Sequence, residues 1–202
     1  DLTGGTAVTY QGRTADLAEP WRVVSFVDSL AEKLSFDPLS ADPAALSSFA
    51  AGRGVEIAEG ASRGAVLDAL FEVLVEPSID GPTFVVDFPK ETSPLAKERR
   101  DRPGVVERFE PYLFGMEIGN SFSELNDPIE QRARFEAQRG LRGKEGEEAQ
   151  QVDEDFLRAL EYGMPPTGGL GVGIDRLAMI FADQPSIRDV LFFPQLRPEG
   201  NE

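Results

Sequence analysis

Cysteine and histidine are both missing from the 202 residues of this chain. Without cysteine there are no disulfides, no thiol nucleophile and no cysteine zinc site. Without histidine the commonest metal ligand and the commonest general base are gone as well. Any catalysis must use carboxylates, arginine, lysine or a borrowed ion. Positive charge is scarce too: 20 Lys and Arg stand against 36 Asp and Glu, a formal net charge of -16. That balance argues against a broad basic surface for nucleic acid, whose affinity rests on phosphate contacts, and suits a cationic ligand better. No apolar run approaches the roughly eighteen residues of a membrane span, and no signal-peptide pattern opens the chain. With 41% hydrophobic and 28% charged residues, the chain can bury one sizeable core, as one domain or one domain with an appendage.

Residues 7–16 alternate around Gln11-Gly12 and predict a short β-hairpin. Residues 20–78 predict a small helical insertion. Pro20 opens its first helix, along which Val23, Val24, Phe26, Val27, Leu30 and Leu34 follow a helical period, and two more helices are expected near 43–51 and 63–76. Thr83 to Phe88 is bounded by Gly81-Pro82 and Pro89 and predicts a buried strand. Lys90 to Pro103 is polar and holds the densest positive charge, either as a solvated loop or as a contact for phosphate or a ligand carboxylate. Two strands, 105–114 and 116–125, meet near Phe114-Gly115. A helix is expected from Pro128 to about Arg139, then a mobile polar link over 140–148. Another helix, 153–163, turns Phe156, Leu157 and Leu160 to one side and stops at Gly163. The chain then enters a glycine-rich strand, a helix starting about Asp175 and capped by it, and the closing Phe192 to Pro198.

The chemistry concentrates in Glu110 to Asp127 and in Gly168 to Arg176. Alternation along the second hairpin strand puts Asn120, Phe122 and Glu124 on one side, an amide, a ring and a carboxylate suited to a long cationic side chain. Glu117 has the opposite parity, so it can serve the same pocket only if the strand carries a bulge, for which Gly119 is the expected place. Glu110 and Glu117 flank the turn, and two such carboxylates can hold Mg²⁺ with nucleotide phosphates and water completing its shell. Gly169, Gly171 and Gly173 clear one side of their strand, so something flat or bulky is expected to lie close to its backbone. The spacing is wrong for a dinucleotide-binding fingerprint. Arg176 follows, able to stack on an adenine ring or pair with a phosphate.

The stretch Phe109 to Asp127, the run Glu161-Tyr-Gly-Met-Pro-Pro-Thr-Gly-Gly-Leu-Gly-Val-Gly-Ile-Asp-Arg-Leu177, Ser186 to Pro194, and Pro89 to Ala96 resemble the bacterial-type class II lysyl-tRNA synthetases. The resemblance covers nearly the whole chain. The glycine strand with its arginine is similar to motif 3 of class II synthetases, and the run Glu117 to Asp127 is specific to the lysine branch. The resemblance implies an α+β fold, an antiparallel sheet flanked by helices, here partial, with the helical insertion at 20–78 and the sheet, lysine pocket and motif 3 in 83–202. It implies that Glu110 and Glu117 coordinate Mg²⁺ held with ATP, and that Asn120 and Glu124 contact L-lysine, with Glu124 on the ε-ammonium and Phe122 walling the pocket. Gly169, Gly171 and Gly173 would form the floor and Arg176 would clamp ATP. The implied activity is ligation: lysine and ATP give lysyl-adenylate, and the lysyl group passes to tRNA-Lys, in a cytoplasmic homodimer. The family's anticodon-binding domain, motif 1 and motif 2 do not precede Asp1, so the expectation is a C-terminal portion of a catalytic domain that is inactive alone.

Two other readings compete. A paralogue that attaches β-lysine to an elongation factor resembles this sequence but tends to carry Ala where this chain has Gly119, which favours α-lysine. A non-catalytic module that keeps the synthetase shape is the other, against which Glu110, Glu117, Glu124 and Arg176 all stand.

Overall fold

The computed structural model describes residues 4–58, 60–142 and 152–194. The opening hairpin forms as expected: β1 (Ala7–Tyr10) pairs antiparallel with β2 (Arg13–Asp16). Gln11 and Gly12 both take positive φ, 49° and 76°, the backbone of a two-residue turn whose twist matches its strands.

Among the described residues a six-stranded sheet carries the candidate site. It comprises β3 (Arg22–Ser25), β4 (Thr83–Val86), β5 (Arg108–Leu113), β6 (Met116–Glu117), β7 (Gly119–Ser123) and β8 (Gly168–Val172). The spatial order is β3-β4-β5-β7-β8, with β6 pairing β5. Among the described strands only the β3–β4 pair is parallel. This α+β arrangement corrects one expectation: Val23 and Val24 lie in β3, beside Phe84 and Val85, and the first helix begins after them. β-branched residues pack well on a pleated sheet, and Ser25 then supplies the helix cap that Pro20 does not.

That helix, α1 (Phe26–Leu34), is capped by the Ser25 hydroxyl accepting from the Asp28 amide at 3.2 Å, satisfying one of the orphan donors of a first turn. Phe26, Val27, Leu30 and Leu34 are its buried side. Asp42 caps α2 (Pro43–Ala51), and Ser62 caps α3 (Arg63–Leu74). Phe26 stacks on Phe71 with ring centroids 4.2 Å apart. Leu46, Leu67 and Leu70 complete the cluster, which closes on Val85 of β4 and Tyr112 of β5. Alternate residues of β5 therefore meet the helical block.

The other side of the sheet meets β1, β2 and α6 (Ile174–Phe181) through Val8, Tyr10, Leu113, Ile118 and Ile180. Between β7 and β8 run α4 (Pro128–Arg142) and α5 (Glu154–Glu161). They are tied by the Arg132 guanidinium donating to both Glu154 oxygens at 2.8 and 2.7 Å. Of the polar link expected over 140–148, residues 140–142 continue α4 and the rest lies outside the described residues, as does the tail beyond residue 194.

Candidate ligand site on the glycine strand

The hairpin turn forms at Phe114 and Gly115, with φ of 55° and 78°. Beyond it, Tyr112 faces Glu117 in one segment and Phe109 faces Ser121 in the next, so three residue steps on β5 oppose four on its partner. One extra residue has entered, and Ile118 and Gly119 together oppose Pro111. The Ile118 amide donates to the Pro111 carbonyl at 2.8 Å, while Pro111 has no amide to return. This is the bulge expected at Gly119, and it reconciles the parity of Glu117 with that of Asn120. A side chain at 119 would stand 2.8 Å from the Gly171 carbonyl and 3.2 Å from the Pro111 ring.

Directly opposed residues share a face. Phe122 pairs with Arg108 on one side and Gly169 on the other, and Asn120 pairs with Gly171. Arg108, Glu110, Glu117, Asn120, Phe122, Gly169 and Gly171 thus present one surface. The glycines clear it unequally. An added methyl at Gly169 would overlap the Glu124 carboxylate, whereas one at Gly171 would approach the Asn120 carbonyl only to 3.7 Å and one at Gly173 the Ile118 carbonyl to 3.5 Å. The bulky neighbour at Gly169 is thus Glu124 itself.

Arg176, in the first turn of α6, donates from Nη1 to the Glu117 carboxylate at 3.0 Å and to the Glu117 carbonyl. It remains 47% exposed. With Gly119, Asn120, Gly171 and Gly173 these residues line an open cavity of about 370 Å³. Asp175 does not cap α6, contrary to expectation. Gly173 holds the cap position without a side-chain bond, and Asp175 sits inside the first turn, where its charge complements the helix dipole.

Glu110 is 7% exposed. Its Oε1 accepts from Arg108 and its Oε2 from the Tyr112 hydroxyl at 3.3 Å. Burial pushes its carboxyl above the usual range, Arg108 opposes that push, and the nearby Glu117 charge adds to it. A divalent cation would relieve that repulsion, and two hard carboxylates on adjoining hairpin segments fit Mg²⁺. Among the described residues no group of three or more such side chains gathers as a metal cage, so the remaining ligands would have to be phosphate oxygens and water.

Glu124 is half-buried and has no ion-pair partner among the described residues. Burial alone raises its carboxyl. It borders a second open cavity, of about 500 Å³, with Lys97, Arg100, Ser123, Thr167 and Gly168. The larger cleft, about 580 Å³, lies instead between Arg13, Glu72, Glu76 and Asp80, beside the hairpin turn and away from the glycines.

Much of the positive loop takes neither expected role, because ion pairs tie its arginines to the rest of the chain. Arg99 pairs with Asp87 and Asp101 at 2.6 and 2.7 Å, and Arg102 pairs with Asp28 and with Asp87 at 3.2 Å. These brace the fold, while Lys97 and Arg100 face the cavity. The residue the sequence reading missed is Arg108, which bonds both Asn120 and Glu110. Its signal was available: two residues before Glu110, it has the same strand parity.

Residues 4–197 match the family model for class II tRNA synthetases (D, K and N). The chain is 51% identical over 201 residues to a lysine–tRNA ligase of Roseiflexus castenholzii, covering 98% of this chain and 41% of that protein. It is 52% identical over 200 residues to one from Prochlorococcus marinus, with 98% and 39% covered. It is 52% identical over 205 residues to one from Trichormus variabilis, with 100% and 36% covered. The chain thus spans about two fifths of the length of these relatives.

Proposed function

We propose, for a chain that belongs to the class II tRNA synthetases (D, K and N), that it supplies the lysine pocket and part of the ATP site of a lysine–tRNA ligase. The observation that carries this reading is Glu124: a half-buried carboxylate whose charge costs burial energy, with no cation paired to it among the described residues and a glycine making room beside it. An ammonium group at the end of an apolar stem meets that need, and Phe122 offers the stem a ring.

In this reading Asn120 and Phe122 line the lysine, Gly169, Gly171 and Gly173 let the ligands lie against backbone, and Arg176 takes a nucleotide phosphate or base. Glu110 and Glu117 would hold Mg²⁺, which supplies charge neutralisation for the phosphates when bound. Activation is attack of a lysine carboxylate oxygen on the α-phosphorus of ATP. The bond to the β-phosphate oxygen breaks, and lysyl-adenylate and pyrophosphate form. No protein base is required, since the attacking carboxylate is already ionised, so positioning and electrostatics carry the step. That suits a chain without histidine. Transfer to tRNA and association with a second subunit belong to the whole ligase in this reading, and this chain alone is expected not to aminoacylate.

Gly119 favours α-lysine over the β-lysine paralogue. An alanine there would press its methyl against the Gly171 carbonyl at 2.8 Å, so a chain with that residue needs a shifted β7. Titration calorimetry of the chain with L-lysine tests the pocket. Heat of binding that disappears in Glu124→Gln is expected, and equal affinity of the two proteins would overturn the assignment.

A further inference from the structure

The Arg108 guanidinium makes a set of bonds that neither a solvated strand residue nor a simple ion pair would need. Its Nε donates to Asn120 Oδ1 at 3.0 Å, its Nη1 to Ser93 Oγ at 2.8 Å and to the Thr92 carbonyl at 3.4 Å, and its Nη2 to Glu110 Oε1. The plane lies over the Phe88 ring, 4.4 Å from its centroid, and the side chain is 17% exposed. Ring, hydroxyl and carbonyl come from the segment after β4, and the other two partners come from the site.

Arginine only donates. The Asn120 atom it meets must therefore be the side-chain carbonyl oxygen, which leaves the amide NH₂ as the donor end of a side chain that lines the cavity. A donor there serves a ligand carboxylate and repels an ammonium. The same guanidinium engages Glu110 Oε1, while Oε2 accepts only the longer bond from the Tyr112 hydroxyl at 3.3 Å. A lysine side chain at 108 could supply the charge but not the planar fork that holds two separate acceptors at once.

We propose that Arg108 is a positioning residue that sets Asn120 and Glu110 together, fixing the Asn120 amide as a donor to the carboxylate of the amino acid while it holds the Glu110 side chain in place through Oε1. The proposal rests on the lysine reading for the ligand, but its geometry can be tested without it.

The test compares the chain with Arg108→Lys, Asn120→Ala, the double variant and Ser93→Ala, each checked for an unchanged melting transition. Calorimetry with L-lysine should show Arg108→Lys weakening binding at least tenfold, with little further loss in the double variant, because both substitutions remove the same oriented donor. Cadaverine, a diamine without a carboxylate, should bind the Arg108→Lys and unsubstituted chains within twofold of each other. The side-chain amide resonances of Asn120 in the ligand-free protein provide a second readout. They should show contacts to Arg108 and lose them in Arg108→Lys. Ser93→Ala, which removes one anchor of the fork, should shift them partly and so serves if Arg108→Lys does not fold.

Lysine affinity within twofold in a folded Arg108→Lys chain, or additive losses in the double variant, would overturn the proposal. So would Asn120 resonances indifferent to both Arg108→Lys and Ser93→Ala. Absence of lysine binding by the unsubstituted chain counts against the lysine reading instead, and the Asn120 resonances then decide the role of Arg108.

Discussion

The carboxylate of Glu124 fills the space in which a side chain at position 169 would have to sit. Gly169→Ala therefore forces either the strand or the carboxylate to move, and the half-exposed carboxylate is the softer of the two. Lysine affinity is expected to fall at least tenfold. Gly171→Ala, whose methyl meets only the Asn120 carbonyl at 3.7 Å, should cost lysine binding less. Calorimetric titration of the two variants side by side measures the difference.

Glu124 should also trade stability for binding. Its folded carboxyl is raised by burial, so the folded state binds its proton more readily than the unfolded chain does. The contribution is fully present below the unfolded value and is lost as pH rises through the folded one, which leaves the ligand-free protein strained near neutrality. Glu124→Gln is expected to raise the melting temperature at pH 7 by a few degrees at most. Solvent screening of a half-exposed group holds the gain below about 1 kcal/mol. At pH 3 the variant and the parent should melt together.

At the bulge, Gly119→Ala places a methyl 2.8 Å from a backbone carbonyl, a contact that no flexible side chain can relieve. The expected loss is roughly 1 to 3 kcal/mol, as for other overpacked sites, read as a lower urea midpoint with an unchanged slope.

The loop before β5 should be sensitive to acid. Glu98 accepts from the Gly104 amide at 2.7 Å and pairs with Lys90 at 2.5 Å, and these bonds hold its carboxyl below its ordinary value of 4.5. Arg102 does the same for Asp28. Depressed carboxylates stabilise above their unfolded values, and that contribution is lost as pH falls through the folded ones. Hydrogen-exchange protection of the Gly104 amide should therefore be high at pH 6 and fall below about pH 4, near the unfolded value. Glu98→Gln should lower it at pH 6.

Period and punctuation made much of the fold legible. Leu30 and Leu34 kept their helical spacing, and the chain turned at Gln11-Gly12 and Phe114-Gly115, where the glycine of each pair adopts positive φ without steric cost. Val23 and Val24 misled because a short apolar run reads equally well as helix or buried strand. Only pairing with Phe84 and Val85 chose between them. At the site, the parity conflict at Glu117 was visible in the sequence, and so was its remedy at Gly119. The partners of the site residues were not: Arg108 reaches Asn120 and Ser93 across strands and loops, and nothing local encodes such a reach.

By itself the sequence limited the chemistry open to this chain, since without histidine or cysteine its candidate site groups are carboxylates, amides, guanidinium and ammonium groups or a borrowed ion, and alternation along an unbroken strand decides which of them share a face. Tertiary structure alone decided which acids already have partners. Arg108 engages Glu110 and Arg176 engages Glu117, while Glu124 has no such cation among the described residues. Those pairings depend on the one-residue register step opposite Pro111 and on the close approach of β7 to β8, long-range relations that appear only once the strands are laid side by side.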